Sequence, residues 1–205
     1  MKLKFEDVMW PKTLFDDTEP RQVGIHLSDV AHYIATVMKT DYKPGDGFKD
    51  MELTAEIGLL WECVLSRIMR DKYAFRPPQV QRDGIWMSLD GIAPPNPFEV
   101  VWTLSGDPIG EVPLVVEEYK CTWRSSNKTP DTNFVYMTQI KSYCHVMETT
   151  TAIMRIFYLM GNYKGSGPVY RIARFTFTPW ELEQNWKMVV KYKDEAVAKG
   201  VLHEY

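Results

Sequence analysis

Four stretches of the chain place apolar residues at the three- and four-residue spacing of an amphipathic helix. The predicted helices are 28–35, 51–72, 131–147 and 179–200. The last is the best marked, because Thr178 and Glu181 form a capping-box pattern around Pro179, and Gly200 stands where a helix would stop. Ser28 is the predicted N-cap of the first helix.

Shorter runs are either continuously apolar or alternate apolar and polar residues, which is typical of strands. The predicted strands are 84–89, 98–104, 112–120, 152–160 and 169–178. Asp90-Gly91 and the proline-rich segment 94–97 mark a turn after the first strand, and 152–160 is apolar enough for the centre of a sheet. This order of elements predicts an α/β fold with a central mixed β-sheet flanked by helices.

A chain of 205 residues with 45% hydrophobic residues can bury one sizeable core. We interpret 1–205 as a single domain, with a core over about 51–178, an N-terminal helical extension over 1–50 and a C-terminal helix over 179–205. No apolar run approaches the length needed to span a bilayer, and the first ten residues are charged and mixed. The sequence therefore predicts a cytoplasmic protein with no membrane partner.

Charge and cysteine content exclude some classes of protein. A net charge of −3 argues against coating nucleic acid through bulk charge, although a local basic groove is still compatible with it. Cys63, Cys121 and Cys144 are widely separated and form no CxxC pair. They cannot by themselves assemble a zinc knuckle or a four-cysteine iron–sulfur cluster, and they fit a reducing compartment.

Two charged residues share one face of the strand predicted at 112–120. Because side chains alternate along a strand, Glu118 and Lys120 point to one side, while Glu117 and Tyr119 point to the other. Apolar residues precede the charged pair on its own face, so the strand becomes charged at its carboxyl end, where α/β sheets tend to place their sites. The alternative interpretation is a strand that simply ends in solvent.

Asp90 lies in a comparable position, after the strand 84–89 and directly before Gly91. An acid at a strand end can join Glu118 and Lys120, although Asp-Gly is equally common as a plain turn. Two carboxylates and a lysine brought together at strand ends are enough to hold a divalent metal and cleave a phosphodiester bond.

Two further polar residues occupy unexpected helical positions. The neighbours of Glu62 one turn away are small or apolar, which would desolvate its carboxylate unless a cation or donor met it. A solvated position at the edge of the helix is the alternative. Gln139 lies in the inward stripe of 131–147, with Tyr143 one turn later. A buried amide needs hydrogen-bond partners, which either a site or the backbone of a neighbouring strand can supply.

In chain order, these patterns resemble the PD-(D/E)XK nuclease superfamily, and most closely its RecB-type and lambda-exonuclease-like branch. The resemblance is carried by Gly58-x-x-x-Glu62, Leu89-Asp90-Gly91, Glu118-Tyr119-Lys120-Cys121 and Gln139-x-x-x-Tyr143. These motifs span about 56–143, and they imply a restriction-endonuclease-like core.

The resemblance also implies a metal site made of oxygen ligands. Asp90 and Glu118 would ligate Mg²⁺ or Mn²⁺, the backbone carbonyl of Tyr119 would be a further ligand, and Glu62 would be an additional acid within reach. Lys120 would orient or activate the attacking water and offset charge in the transition state.

Two residues of the helix 131–147 would complete the site. By the same resemblance, Gln139 belongs to the catalytic group and Tyr143 to the substrate contacts, and both would brace the site or touch the substrate backbone. The chain departs from the family pattern at Leu89, where the name-giving proline is missing, and at Glu62, where many relatives carry a histidine ligand. The branch members with an iron–sulfur cluster need four cysteines, so no such cluster is expected here.

The segment 123–128 follows the Glu118–Lys120 strand and combines an aromatic side chain with two cations. Trp123, Arg124 and Lys128 are therefore candidates for binding phosphates and unstacked bases, although an ordinary polar loop has the same composition. Arg76 belongs to a second basic concentration near the end of the helix 51–72, which we interpret as a solvated helix end slightly in preference to a groove wall.

The function that the resemblance implies is a divalent-metal-dependent deoxyribonuclease of a bacterial or phage-infected cell, with a standalone exonuclease of the phage-recombination or DNA-repair type favoured. The partner would be single- or double-stranded DNA with ends favoured; a single-strand annealing or recombination protein and a homo-oligomer are further candidate partners. A structure-specific or restriction-type endonuclease would use the same residues. The alternative from another class is a catalytically silent module that keeps the fold and binds nucleic acid.

Overall fold

The computed structural model describes residues 22–38, 57–65, 76–93, 114–165 and 167–203. Its helices are α1 (Leu27–Val37), α2 (57–65), α3 (Phe134–Val146) and α4 (Pro179–Ala198), and a 3₁₀ turn, Pro130–Thr132, precedes α3. Within these ranges, no helix has the length and apolar character needed to cross a membrane.

The strands form two sheets. The smaller sheet has the order β1-β3-β2 and consists of β1 (Ile25–His26), β2 (Val80–Arg82) and β3 (Ile85–Met87). The larger sheet has the order β4-β5-β6-β7 and consists of β4 (Gly91–Ala93), β5 (Val115–Thr122), β6 (Thr151–Tyr158) and β7 (Val169–Thr176). Strands β5 and β6 are parallel and the other pairs of this sheet are antiparallel. The protein is therefore α/β with mixed sheets flanked by helices, as the sequence predicts.

The core lies between the larger sheet and the helices. Val116 on β5 and Met154 and Ile156 on β6 are almost fully buried in the same cluster as Ile140 of α3. Helix α3 connects β5 to β6, which is the crossover that a parallel pair requires. Helices α1 and α4 pack against α3 in turn. This packing places α3 over the carboxyl half of β5, where the charged residues lie.

Helix α4 begins where the sequence indicates. The Thr178 hydroxyl accepts a hydrogen bond from the Glu181 amide at 3.2 Å, and the Glu181 carboxylate accepts one from the Thr178 amide at 2.8 Å. Gly200 adopts a φ of 65° just beyond the helix, a left-handed conformation that favours glycine. Local chemistry alone therefore determines both ends of this helix.

Three local predictions are wrong. Helix α1 begins at Leu27 directly after β1, so Ser28 lies within its first turn and is not the N-cap. The strand predicted at 84–89 is reduced to β3, because Gly84 belongs to the turn that joins β2 to β3. Gly91 is not a turn residue but the first residue of β4, paired with Glu117. The predicted strand 98–104 and most of the extension 1–50 lie outside the described residues.

Candidate active site

Asp90 lies at the point where β4 stops covering the edge of β5. The β4–β5 pairing ends with Gly91, the first residue of β4, opposite Glu117, so the amide of Tyr119, two residues further along β5, lies beyond β4. The carboxylate of Asp90 accepts a hydrogen bond from that amide, with 2.6 Å between Oδ2 and N. The Asp90 side chain thus accepts the hydrogen bond that the backbone of a longer β4 would otherwise accept.

Glu118 and Lys120 share the face of β5 that is turned to α3, as the strand alternation predicts. Glu118 is 2% exposed, and its Oε1 forms an ion pair with Nζ of Lys120. Its other carboxylate oxygen, Oε2, is buried without a hydrogen-bond partner in the described part of the chain. No hydrogen bond from the described residues compensates for the hydration that this carboxylate oxygen loses on burial, so its burial is unfavourable.

The carboxylates interact unfavourably with one another. Burial, followed by the charges of Glu118 and Glu62, raises the pKa of Asp90 well above its ordinary value. Burial also raises the pKa of Glu118, against the opposing effect of Lys120. Three acids therefore lie close enough to affect each other, which indicates negative charge that one lysine does not fully offset.

A second cation reaches this group through Glu62. Nη1 of Arg76 lies 2.6 Å from Oε1 of Glu62, an ion pair that lacks the angle of a hydrogen bond. The Glu62 side chain is 16% exposed and that of Arg76 is 39% exposed, so the pair lies at the open side of the cluster. Of the two interpretations of Glu62, the structure favours the one in which a cation or donor meets its carboxylate, and Arg76, although exposed as predicted, is that cation.

Helix α3 covers the same group of acids. Gln139 and Tyr143 are both buried, one turn apart, as the inward stripe predicts. Burial first, and then the charges of Glu118 and Asp90, raise the pKa of Tyr143, which places this phenol beside the carboxylates. Such burial favours a bracing role over direct contact with a large substrate.

Lys120 extends from the carboxylates towards the ring of Tyr136, a residue that is not among the site residues predicted from the sequence. Its Nζ lies 5.5 Å from the centroid of the Tyr136 ring, within reach of a cation–π interaction. Burial alone would lower the pKa of Lys120, but Glu118 and Asp90 together outweigh burial and raise it. The side chain is therefore a cation at neutral pH, suited to donating hydrogen bonds and not to accepting a proton.

The loop that carries Trp123, Arg124 and Lys128 continues from the end of β5. Trp123 and Arg124 are half-buried, whereas Lys128 is exposed. The carbonyl of Lys128 accepts a hydrogen bond from the Tyr158 hydroxyl at 3.2 Å, and the Ser126 amide donates to the carbonyl of Gly161 at 2.7 Å. The loop is therefore tied to the end of β6, three or more residues beyond Lys120.

On the opposite face of β5, Glu117 and Tyr119 form a separate buried group with Arg155. Arg155 donates to both oxygens of Glu117, at 2.7 Å from Nη2 and 2.9 Å from Nε. The Tyr119 hydroxyl donates to the same carboxylate at 3.0 Å. Alternation along the strand predicts that these two residues share a face, but nothing in the sequence identifies Arg155 as their partner, because it lies 38 residues away.

The described residues contain no set of three His, Cys, Asp or Glu side chains arranged to hold a metal ion. Asp90 and Glu118 instead face their protein donors, the Tyr119 amide and the Lys120 ammonium group. The structure thus brings together Glu62, Asp90, Glu118 and Lys120 with the α3 residues, while Trp123, Arg124 and Lys128 lie along the strand's continuation.

Comparisons with known proteins give limited information about this chain. No protein-family model matches it, and no curated protein is similar to it in sequence. Among solved structures, it is similar to that of SSO0001, with a TM-score of 0.44 and 10% sequence identity over 85% of this chain and 79% of that chain. A likeness at this level does not establish a shared fold, so the assignment of the site depends on the residues described above.

Proposed function

We propose that the protein is a divalent-metal-dependent deoxyribonuclease with a restriction-endonuclease-like core, and that an exonuclease is the favoured form. The observation that carries the proposal is the group formed by Asp90, Glu118, Glu62 and Lys120 at the uncovered edge of β5. Buried like charges are costly, and a fold retains them where a cation or a reaction requires them.

The donors suit Mg²⁺ or Mn²⁺ by chemical type, although the described residues do not arrange three such side chains to hold an ion. The candidate ligands are the carboxylates of Asp90, Glu118 and Glu62 with the backbone carbonyl of Tyr119, all of which are the hard oxygen donors that these ions prefer. Oε2 of Glu118 has no partner in the described part of the chain, and Asp90 is buried beside two other acids, so a divalent cation would satisfy oxygens that the protein leaves without a positive charge. When bound, such an ion would polarise the phosphate and make a water molecule more acidic.

The protein groups around the carboxylates would share the remaining work. Lys120, held as a cation by Glu118 and Asp90, would donate hydrogen bonds that orient the attacking water and offset charge on the phosphorus centre. Tyr136 would limit the freedom of the Lys120 ammonium group through its ring. Gln139 and Tyr143 would brace the carboxylates from α3.

Substrate would enter from the side of Arg76 and leave along the loop 123–128. Arg76 is the most exposed of the charged groups in the two ion pairs of the cluster, so its guanidinium is available to a phosphate oxygen. Beyond Lys120, Trp123 offers a stacking surface, and Arg124 and Lys128 offer cations to the DNA backbone. The proposed substrate is DNA with ends favoured, and an annealing or recombination protein is the proposed partner.

A digestion assay tests the proposal. End-labelled linear DNA, covalently closed circular DNA and RNA are incubated with the protein and Mn²⁺, beside the Lys120→Ala variant. Lys187→Ala is the matched control, because Lys187 is a surface lysine on α4 paired to Glu183. Loss of linear DNA alone supports an exonuclease, and cutting of circles supports an endonuclease. Activity that survives Lys120→Ala contradicts the proposed site, and binding without cleavage in the wild type supports a silent binding module.

A further inference from the structure

The face of β5 opposite the carboxylate cluster carries a buried charged network, made of Glu117, Tyr119 and Arg155. The carboxylate of Glu117 accepts three hydrogen bonds, two from Arg155 and one from the Tyr119 hydroxyl. The Glu117 side chain is 2% exposed and that of Arg155 is 13% exposed. Arg155 also donates to the Tyr170 hydroxyl at 3.4 Å, so the network crosses β5, β6 and β7.

Stability alone gives little reason for such a network. Apolar side chains of similar volume often replace a buried ion pair without loss of stability, so a buried ion pair is weak evidence for a stabilising role. The pair orients the Glu117 side chain, because a bidentate guanidinium fixes the plane of the carboxylate. The fixed carboxylate in turn holds the Tyr119 hydroxyl, which donates a hydrogen bond to it, in one position.

Tyr119 links this network to the candidate active site through its backbone. Its side chain is bonded to Glu117, and its amide donates to Asp90 at 2.6 Å. The ring also lies over Gly91, where an added Cβ would approach the Tyr119 hydroxyl to 3.1 Å. Residue 91 directly follows Asp90, so the ring and the amide of Tyr119 contact both residues of the Asp90–Gly91 pair.

We propose that Glu117, Arg155 and the Tyr119 hydroxyl form a positioning network that holds the backbone of Tyr119 in place for Asp90. The network fixes the amide that orients the Asp90 carboxylate, and it fixes the neighbouring carbonyl of Tyr119. The importance of this for catalysis rests on the proposed function, whereas the positioning itself is a property of the folded chain.

Hydrogen exchange at the Tyr119 amide tests the positioning without any reaction. Tyr119→Phe removes only the hydroxyl, and Glu117→Gln keeps an acceptor but removes the charge. Both variants should speed exchange of the residue-119 amide by roughly tenfold relative to the Val116 amide of the same strand, because the lost contact is a hydrogen bond to a charged group. The comparison is made under conditions in which both amides exchange through local openings, because the free energy of such openings does not include the global stability.

Tyr33→Phe is the matched control. It also removes a tyrosine hydroxyl that donates to a glutamate, Glu195, at 3.3 Å, but it does so between α1 and α4. Exchange at residue 119 should be unchanged in this variant. Unaltered exchange in both Tyr119→Phe and Glu117→Gln, with the variants folded by circular dichroism, would overturn the proposal.

An activity measurement separates this proposal from the proposed function. If the protein cleaves DNA, Tyr119→Phe should lower kcat by roughly tenfold and leave KM for DNA unchanged, because the hydroxyl touches no substrate group. Faster exchange at residue 119 in a protein whose wild type has no nuclease activity would support the positioning and contradict the nuclease. An active wild type with exchange and kcat unaffected by Tyr119→Phe would support the nuclease and contradict the positioning.

Discussion

Replacing Arg155 by methionine should destabilise the protein strongly, although Arg155 does not lie in the carboxylate cluster. The substitution keeps much of the side-chain volume and removes two hydrogen bonds to Glu117, of 2.7 and 2.9 Å. Breaking a buried ion pair by removing one partner costs about 3–5 kcal/mol, because the remaining charge has no compensation. Since the Arg155 side chain is 13% exposed, water can reach it in part, and we expect the lower end, about 3 kcal/mol.

Urea unfolding followed by tryptophan fluorescence measures this loss. For a chain of this size the slope is about 2–3 kcal/mol per molar urea, so the midpoint should fall by roughly 1 M with the slope unchanged. Arg174→Met is the matched control, because Arg174 is an exposed arginine on β7 of the same sheet, opposite Ile153 of β6. Its midpoint should stay close to that of the wild type.

A double variant tests the physical reason. If the cost arises from an uncompensated Glu117 charge, Glu117→Leu combined with Arg155→Met should recover much of the stability lost by Arg155→Met alone. A loss below about 1 kcal/mol for Arg155→Met, or a double variant as unstable as the sum of the single ones, would refute this reasoning.

Three further predictions concern the carboxylate cluster. Burial and Glu118 raise the pKa of Asp90 above its ordinary value of 3.8, so above that pH the folded state keeps a proton that the unfolded state has lost. Asp90→Asn should therefore stabilise the metal-free protein increasingly as pH rises from 3.8 towards neutrality. An equal change in stability at acidic and neutral pH would contradict this prediction. In thermal scans, Mn²⁺ at about 100 times its Kd should raise the Tm of the wild type by roughly 5–10 °C and leave the Tm of Asp90→Asn unchanged. Equal shifts in Tm for the two proteins would exclude Asp90 as a ligand. Tyr136→Leu should lower kcat about threefold to tenfold, because it removes the ring beside Lys120. Tyr136→Phe keeps the ring and should have a kcat close to that of the wild type. An equal fall in kcat for both variants would show that loss of the ring is not the cause.

Features of the site that depend on local periodicity could be predicted from the sequence. Glu118 and Lys120 share a face of β5, because side chains alternate in any strand. Gln139 and Tyr143 are buried one turn apart, because a helix repeats every 3.6 residues. The small and apolar neighbours of Glu62 along one helix indicate either a carboxylate that needs a cation or donor or a solvated helix edge, and the structure pairs Glu62 with Arg76.

Features that depend on distant residues could not be predicted. The partner of Glu62 is Arg76, which the charge pattern assigns to a solvated helix end. The partner of Glu117 is Arg155, on the next strand of the sheet but 38 residues away along the chain. The sequence predicts Gly91 as a turn residue, because the group that approaches it closely, the Tyr119 hydroxyl, belongs to another strand.

The amino-acid sequence is sufficient for the α/β class, the ends of α4 and the face on which each charged residue of β5 lies, because these depend on interactions between residues close along the chain. Which charges meet depends on the tertiary structure. Because β4 begins only at Gly91, the Tyr119 amide is left to Asp90, and the β5–β6 pairing brings Arg155 to Glu117. Such contacts follow from how strands align across a sheet, and strand pairing is a non-local property that no periodicity within one segment encodes.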